Sequence, residues 1–159
     1  MTFESILFPE HVIEDGGLRK QNLIKYSGVE KPLISVITVV LNGEKFLEES
    51  IKSLHNQNFK NFEHIIIDGG SKDKTIEIIK KYDSKIDYWC QVSDEGIYDA
   101  FNLGMKLAKG QYIGFLNSDD LYTPTAFQIL NNYIKKYPDM DFIFGSVKKH
   151  WGVLHGYRP

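Results

Sequence analysis

The sequence has little cysteine, little surplus charge and few of the patterns that mark a nucleic-acid-binding protein. Its single cysteine, Cys90, cannot form an intramolecular disulfide and lies in an apolar stretch, which predicts a buried, inert thiol and a reducing compartment. Nineteen basic residues stand against 21 acidic ones, so the net charge is only -2. A protein that wraps a nucleic-acid backbone needs a strong positive field. We therefore predict no nucleic-acid partner.

Membrane and export signals are also lacking. The longest apolar run, residues 32–41, has about half of the ~20 residues that a membrane-spanning helix needs. The amino terminus carries acidic residues in place of the basic start and continuous apolar core of a signal peptide. These absences predict a cytoplasmic protein with no transmembrane segment. Peripheral association with the inner face of the cytoplasmic membrane stays open.

Several common catalytic motifs are missing. The chain has no glycine-rich Walker loop, no Gly-x-Gly-x-x-Gly and no Gly-x-Ser-x-Gly, which argues against an ATPase, a dinucleotide-binding enzyme and a serine hydrolase. His55 and His64 do not have the spacing of a zinc site. The first predicted strand closes on Asn42, whereas response regulators and haloacid-type phosphatases need a carboxylate there.

What the sequence does contain is a regular alternation of short β-rich runs and helical patterns. Its 159 residues, 42% of them hydrophobic, suit one globular domain. From Lys31 onward, this alternation predicts an α/β fold with a mostly parallel central sheet flanked by helices. The predicted strands are residues 34–40, 62–67, 86–92, 112–116 and 142–147. We read residues 1–31 as a leader segment, 32–147 as the domain and 148–159 as an aperiodic tail.

Apolar residues recur at helical spacing between these strands. The inward faces of the four predicted helices carry Phe46, Leu47, Ile51 and Leu54; Ile76, Ile79 and Tyr82; Ile97, Phe101, Met105 and Ala108; and Phe127, Leu130, Ile134 and Tyr137. The third helix leaves Asp99, Asn102 and Lys106 on its outer face. Thr123 and Pro124 suit the cap and the first position of the fourth helix.

Polar or acidic residues follow four of the predicted strands. They are Asn42, then Asp68, then Asp94 and Glu95, and finally Asn117, Asp119 and Asp120. Turns favour such residues at any one place, but the carboxyl ends of parallel strands share one edge, where the ligands of open α/β sheets bind. Clustered carboxylates repel a bare phosphate, but Mg²⁺ or Mn²⁺, which prefer hard oxygen ligands, can bind the carboxylates and the phosphate at the same time. We therefore predict a Mg²⁺ or Mn²⁺ site at Asp119 and Asp120 that also holds a nucleotide.

Three segments, in order and at this spacing, resemble family 2 glycosyltransferases with the fold called GT-A. They are residues 32–43 (PLISVITVVLNG), 67–75 (IDGGSKDKT) and 114–120 (GFLNSDD). Residues 93–104 (SDEGIYDAFNLG) are similar to a subgroup associated with bacterial surface polysaccharide synthesis, as are residues 16–19. The resemblance covers residues 32 to about 147.

The resemblance implies transfer of a sugar from a nucleoside diphosphate donor to a growing glycan or a lipid-linked acceptor. It implies that residues 39–42 line the base and ribose, that Asp68 sits beside the nucleoside, and that Asp119 is the metal ligand of an Asp-x-Asp motif. The full set of expected donor-binding residues is Val39, Val40, Asn42, Asp68, Asp94, Asp99, Asn102, Asn117 and Asp119.

Departures from the family pattern leave two questions open. Asn117 replaces the commoner first aspartate of the metal motif, Gly69 replaces a frequent aspartate, and Phe101 replaces a frequent arginine, so the base and the sugar stay open. Family members usually continue well past the metal motif into a segment that supplies the acceptor platform and the catalytic base. We expect that half to be missing here, because the chain stops 39 residues after Asp120 and no residue after Asp120 matches the base. Asp139 and Asp141 are predicted to be solvated turn residues. A non-catalytic nucleotide-binding or protein-interaction module is the alternative.

Overall fold

A five-stranded sheet organises the molecule in a computed structural model that describes residues 12–25, 31–93 and 96–146. The strands are β1 (Val12–Gly16), β2 (Ile34–Val40), β3 (Phe62–Asp68), β4 (Tyr88–Val92) and β5 (Tyr112–Phe115). Their order across the sheet is β1-β4-β3-β2-β5. Strands β2 to β5 are mutually parallel, and only β1 runs antiparallel, against β4. The predicted α/β fold with a mostly parallel sheet is confirmed.

Within the described residues, four α-helices cover the two faces of this sheet. They are α1 (Leu47–His55), α2 (Thr75–Lys81), α3 (Ile97–Leu107) and α4 (Ala126–Lys136). Helices α1, α2 and α4 bury apolar residues against Val36, Val40 and Ile66 on one face. Helix α3 covers the other face, where Ile65, Ile67 and Cys90 pack with its buried residues. The four helices that the sequence predicted are therefore all present.

Burial also accounts for the single cysteine. Cys90 is buried in β4, and that burial raises the pKa of its thiol to about 12. A thiol of this kind stays protonated and inert, as the sequence predicted. Within the three described ranges, no helix combines the length and the apolar character needed to cross a membrane.

The inward face of α3 differs from the predicted one. Ala100, Gly104 and Leu107 are buried, whereas Ile97 is 57% and Met105 40% exposed. A Cβ added at Gly104 would collide with the side chain of Ile37 on β2. The helix therefore lies so close to the sheet that small residues must face it, which turns the larger apolar residues outward. Asp99, Asn102 and Lys106 are exposed, as predicted.

Helix α4 begins two residues later than the sequence predicted. Its first residue is Ala126 and the capping position is Thr125, so Thr123 and Pro124 precede the helix. The Thr123 carbonyl instead accepts hydrogen bonds from the Ala126 N–H and from the Gln57 side chain (2.8 Å). Phe127 and Ile134 are buried as expected, but Tyr137 lies beyond the helix and is exposed.

The predicted strand at residues 142–147 is wrong over the part that the structure describes. Residues 142–146 form no strand, and Phe142 and Phe144 are 78% and 91% exposed. Alternating apolar residues need a neighbouring strand and a core, and this segment meets neither among the described residues. Residue 147 lies outside them.

Part of the predicted leader segment, residues 12–16, forms a strand at the edge of the sheet. Strand β1 pairs with the edge of β4, and a 3-10 helix, Leu18–Gln21, follows it. Arg19 forms an ion pair with the fully buried Glu63 and also donates to the Leu107 carbonyl (2.8 Å). Lys25 pairs with Asp87 at 2.6 Å. These contacts join residues 12–25 to the amino-terminal ends of the parallel strands.

Candidate functional site

The carboxyl ends of the four parallel strands meet at one edge of the sheet, as the sequence predicted. In the strand register, Val40 lies beside Asp68 and Asp68 beside Gln91. The Gly69 N–H donates to the Val40 carbonyl at 2.9 Å. On the other side of β2, a Cβ added at Gly43 would lie 3.6 Å from the Ser118 side chain. The loops after β2, β3 and β5 are therefore direct neighbours.

Asp68 is fully buried at the end of β3, and both of its carboxylate oxygens are occupied. One oxygen accepts from the Gly70 N–H (3.2 Å), the Ser71 N–H (3.0 Å) and the Gln91 amide (2.8 Å), and the other accepts from the Ser71 hydroxyl. These bonds hold a turn in which Gly70 adopts a φ of 88°, a region that favours glycine. The carboxylate thus shapes the loop, and its expected place beside a nucleoside stays a prediction.

Asn42 lies two residues beyond the end of β2 and has a left-handed conformation, with a φ of 52°. Its backbone N–H donates to the Ser71 hydroxyl, and its side-chain oxygen accepts from the Lys72 N–H, both at 2.8 Å. The side chain is exposed at the edge. Val40 is buried in the core and Val39 is half-buried, so these two residues offer the edge mainly their backbone.

We call residues 42–44 and 68–75 the edge loops, because hydrogen bonds join them into one unit. The Gly43 N–H donates to the Thr75 hydroxyl (2.8 Å), and the Glu44 N–H donates to the Asp73 carboxylate (3.0 Å). Burial on its own would raise the pKa of the Asp73 carboxyl group, but hydrogen bonds from Thr75 and Glu44 have the larger combined effect and lower that pKa. The edge loops are therefore held in place without any ligand.

The segment after β5 presents one free carboxylate. The Asn117 side-chain amide donates to Asp120 at 2.9 Å, and the Asp120 N–H donates back to the Asn117 carbonyl at 3.1 Å. The Ser50 hydroxyl of α1 also donates to that carbonyl. Asp119 is exposed, and no described residue forms a hydrogen bond or ion pair with its side chain. Asp119 is consequently the carboxylate of this segment that is free to bind a cation.

The donor set at Asn117–Asp120 suits a hard divalent cation that keeps most of its own ligands. Asp119 offers a carboxylate and Asn117 a carboxamide oxygen, because the amide nitrogen of Asn117 is committed to Asp120. Mg²⁺ typically takes one or two protein carboxylates and completes its shell with water and phosphate oxygens. The described residues contain no cluster of three or more acidic, His or Cys ligands, so an all-protein cage does not fit.

Helix α3 approaches the same edge from the other face of the sheet. It begins at Ile97 after Gly96, and Asp99 in its first turn and Asn102 are exposed. The Phe101 ring packs edge-on against the Phe115 ring of β5, with 5.0 Å between centroids. No hydrogen bond joins Asp99 or Asn102 to Asn117–Asp120. Asp94, another expected donor-binding residue, lies outside the described residues, as does Glu95.

Sequence reasoning missed the residues that hold the edge loops together. Ser71 and Thr75 lie inside the quoted motif of residues 67–75, and hydroxyl residues in or beside a turn often form hydrogen bonds with nearby backbone groups, which is a visible signal. Gln91 gave no comparable signal, because its bond to Asp68 depends on the register of β3 and β4.

Comparisons with known proteins agree with this architecture. The family model for Glycosyl transferase family 2 matches residues 35–159. An uncharacterized glycosyltransferase of Haemophilus influenzae is 44% identical over 128 residues, which cover 79% of this chain and 46% of that protein. One of Rickettsia typhi is 39% identical over 112 residues, covering 70% of this chain and 35% of that protein. The chain thus spans less than half the length of these curated relatives.

Solved structures show the same fold. S. aureus TarS 1-349 in complex with UDP superposes with a TM-score of 0.62 at 28% identity, covering 66% of this chain and 32% of that one. The mannosyltransferase PcManGT from Pyrobaculum calidifontis shares the fold with a TM-score of 0.56 at 19% identity, over 66% of this chain and 32% of its own. Because the family model spans most of the sequence, from the start of β2 onward, this chain belongs to glycosyl transferase family 2.

Proposed function

We propose that this chain is the nucleotide-sugar-binding part of a glycosyltransferase that transfers a sugar to a growing glycan or lipid-linked acceptor in polysaccharide biosynthesis. The observation that carries the proposal is the convergence of the strand ends at one edge, where Asp119 is exposed and has no partner among the described residues. TarS was solved with UDP and with UDP-GlcNAc, which supports a nucleoside diphosphate sugar as the donor class.

Each part of the edge has a separate task in this proposal. The edge loops bind the nucleoside, because they form a preorganised wall at the ends of β2 and β3. Asp119 and the carboxamide oxygen of Asn117 hold Mg²⁺ or Mn²⁺. Such an ion, when bound, supplies positive charge against which a departing diphosphate is stabilised. Asp120 orients Asn117 through the bond between their side chains.

Calorimetric titration with UDP, GDP and dTDP, each with and without Mn²⁺, tests the donor site. We expect metal-dependent heat with at least one of the three nucleotides. Titration of Mn²⁺ alone serves as the control, and it should give much weaker binding, because a single free carboxylate makes a poor site without phosphate oxygens. Absence of metal-dependent binding with all three nucleotides would overturn the proposal.

The described residues that follow the metal motif contain no candidate for the acceptor-side base, because Asp139 and Asp141 are exposed in an irregular segment. A positioned general base is worth roughly 10² to 10⁴ in rate. We therefore expect residues 1–159 alone to bind donor and to hydrolyse it slowly at most. Radiolabelled nucleotide sugars and a panel of lipid-linked acceptors give the measurement. Robust acceptor-dependent transfer would place a base within this chain.

A further inference from the structure

The Ser71 hydroxyl occupies the centre of the hydrogen bonds between the two edge loops. It accepts from the Asn42 N–H at 2.8 Å and donates to Asp68, whose other oxygen is held by Gln91. Ser71 is itself buried. A single hydroxyl thus connects the loop after β2 to the ends of β3 and β4.

A neighbouring bond, from the backbone N–H of Lys72, fixes which end of the Asn42 side chain is offered to a ligand. Its Oδ1 accepts from the Lys72 N–H at 2.8 Å. A flipped amide would direct its NH₂ group at that N–H, which is a donor, so the orientation is determined. Among the described residues the Asn42 Nδ2 has no hydrogen-bond partner, and the residue is exposed at the edge. Asn42 therefore presents two N–H donors at the place proposed for the nucleoside.

We propose that Ser71 is a positioning residue for the nucleoside half of the donor, because it holds Asn42 so that the Nδ2 group donates to an oxygen of the base or ribose. This inference rests on the proposed function. It adds that the protein is the hydrogen-bond donor, and the nucleoside the acceptor, in one contact of the donor site. Asn42 has a left-handed backbone, a conformation that Asn and Asp adopt more readily than other residues with a Cβ, and the bond from its N–H to the Ser71 hydroxyl stabilises that conformation. Without the hydroxyl, the Asn42 N–H loses its partner and only the bond from the Lys72 N–H still holds the Asn42 side chain among the described residues, so the position of Nδ2 is less well fixed.

The first arm of the test compares Ser71→Ala with Ser35→Ala. The Ser35 hydroxyl is also buried, and it bonds to Glu63 and accepts from the Gly110 N–H, but it lies at the opposite end of β2. Titrations use UDP with Mn²⁺, UMP without metal, and pyrophosphate with Mn²⁺. We expect Ser71→Ala to weaken UDP and UMP about tenfold and to leave pyrophosphate unchanged, because one hydrogen bond to the nucleoside is worth about that factor. Ser35→Ala should lower the melting temperature and leave all three affinities unchanged.

A second variant keeps the inference testable if Ser71→Ala is too unstable to titrate. Asn42→Asp retains an oxygen that accepts from the Lys72 N–H but replaces the two donors with a carboxylate oxygen. UMP binding should fall at least tenfold while the melting temperature stays close to that of the wild type. An added arm with uridine and ribose 5-phosphate identifies whether the lost contact belongs to the base or to the ribose.

The outcomes separate this inference from the proposal beneath it. Wild-type binding of UDP together with unchanged UMP affinity in both variants would overturn the role of Ser71 and leave the donor site intact. A loss of pyrophosphate affinity as large as the loss for UMP would reduce Ser71 to a general structural role and overturn the inference as well. If the wild type binds no nucleotide of the UDP, GDP and dTDP panel, both fall together.

Discussion

The amino edge and the carboxyl edge of the sheet are both rich in polar side chains, but they use them differently. At the amino edge, Glu63 is fully buried and bonds to Arg19, to the Ser35 hydroxyl and to the Lys109 N–H, and Asp87 is paired with Lys25. At the carboxyl edge, the exposed Asp119 has no partner among the described residues. Burial with full pairing indicates a structural role, whereas an exposed free carboxylate on a rigid support indicates a binding site.

The first way to sharpen this comparison is to remove the central charge of the amino edge. Glu63→Ala removes the acceptor of the buried Lys109 N–H and leaves the Arg19 guanidinium with only its bond to the Leu107 carbonyl. Breaking a buried ion pair by removing one partner typically costs about 3–5 kcal/mol. Urea unfolding followed by circular dichroism measures the loss. We expect nucleotide affinity to be unchanged in the fraction that folds.

Glu48→Ala is the matched control for that experiment. Glu48 pairs with Lys52 and Lys81 at the surface, and hydrogen bonds from Lys81, Lys52 and Tyr82 lower the pKa of its carboxyl group to about 2. Surface pairs of this kind contribute little to stability. Equal losses of unfolding free energy in Glu63→Ala and Glu48→Ala would contradict the claim that burial makes the amino-edge ion pair important for stability.

The converse change at the carboxyl edge should separate binding from stability. Asp119→Ala removes the free carboxylate, so metal-dependent nucleotide binding should weaken about 100-fold or more, in line with the loss of a direct metal ligand. The free energy of unfolding should change by less than about 0.5 kcal/mol, because exposed positions contribute little to the core. Calorimetry with Mn²⁺ and thermal unfolding give the two readings. Equal nucleotide affinity in the wild type and the variant would mean that another residue holds the metal.

How far the sequence predicted these two edges depends on whether local pattern or long-range pairing decides the structure. The strand ends of the carboxyl edge were predicted because each one follows a continuous apolar run, as Asp68 and Asn117 do. The amino edge was not predicted, because it depends on β1 pairing with a distant strand and on Arg19 reaching Glu63. At residues 142–146 the error was the opposite one, because a strand was predicted that the structure does not contain. Alternating apolar residues do not form a strand unless another strand pairs with them.

Acid pH should weaken the amino edge through two histidines. The His55 Nε2 lies 3.2 Å from the His64 Nδ1, and the His64 Nε2 lies 3.1 Å from the Thr38 hydroxyl. Burial, reinforced by Lys25, lowers the pKa of His55 from 6.5 to about 3 and that of His64 well below 6.5. The unfolded chain therefore binds more protons below pH 6.5 than the native protein does, so stability falls as the pH falls from 6.5 towards 3. The slope is about 1.4 kcal/mol per pH unit for each histidine.

Chemical denaturation at a series of pH values, with His55→Gln as the control, measures this slope. Glutamine keeps a polar side chain but takes up no proton, so the variant should lose stability less steeply than the wild type below pH 6.5. Asp87 acts in the opposite direction, because burial raises the pKa of its carboxyl group, and its contribution is common to both proteins. Parallel pH profiles for the two proteins would show that His55 is not held neutral by the fold.

The smallest effect that we predict concerns Asp120, which lies next to the free carboxylate but is engaged with Asn117. If Asp120 orients Asn117, Asp120→Ala should weaken metal-dependent nucleotide binding about tenfold, which is the usual scale for a group that supports a ligand without touching the metal. The exchange Asn117→Asp with Asp120→Asn sharpens the test, because it swaps donor and acceptor and preserves one hydrogen bond between the two side chains. We expect the double variant to bind UDP with Mn²⁺ better than Asn117→Asp alone, since that single change sets two carboxylates against each other with no donor between them. If Asp120 instead contacts the metal itself, Asp120→Ala should lose as much affinity as Asp119→Ala, and the exchange should restore nothing.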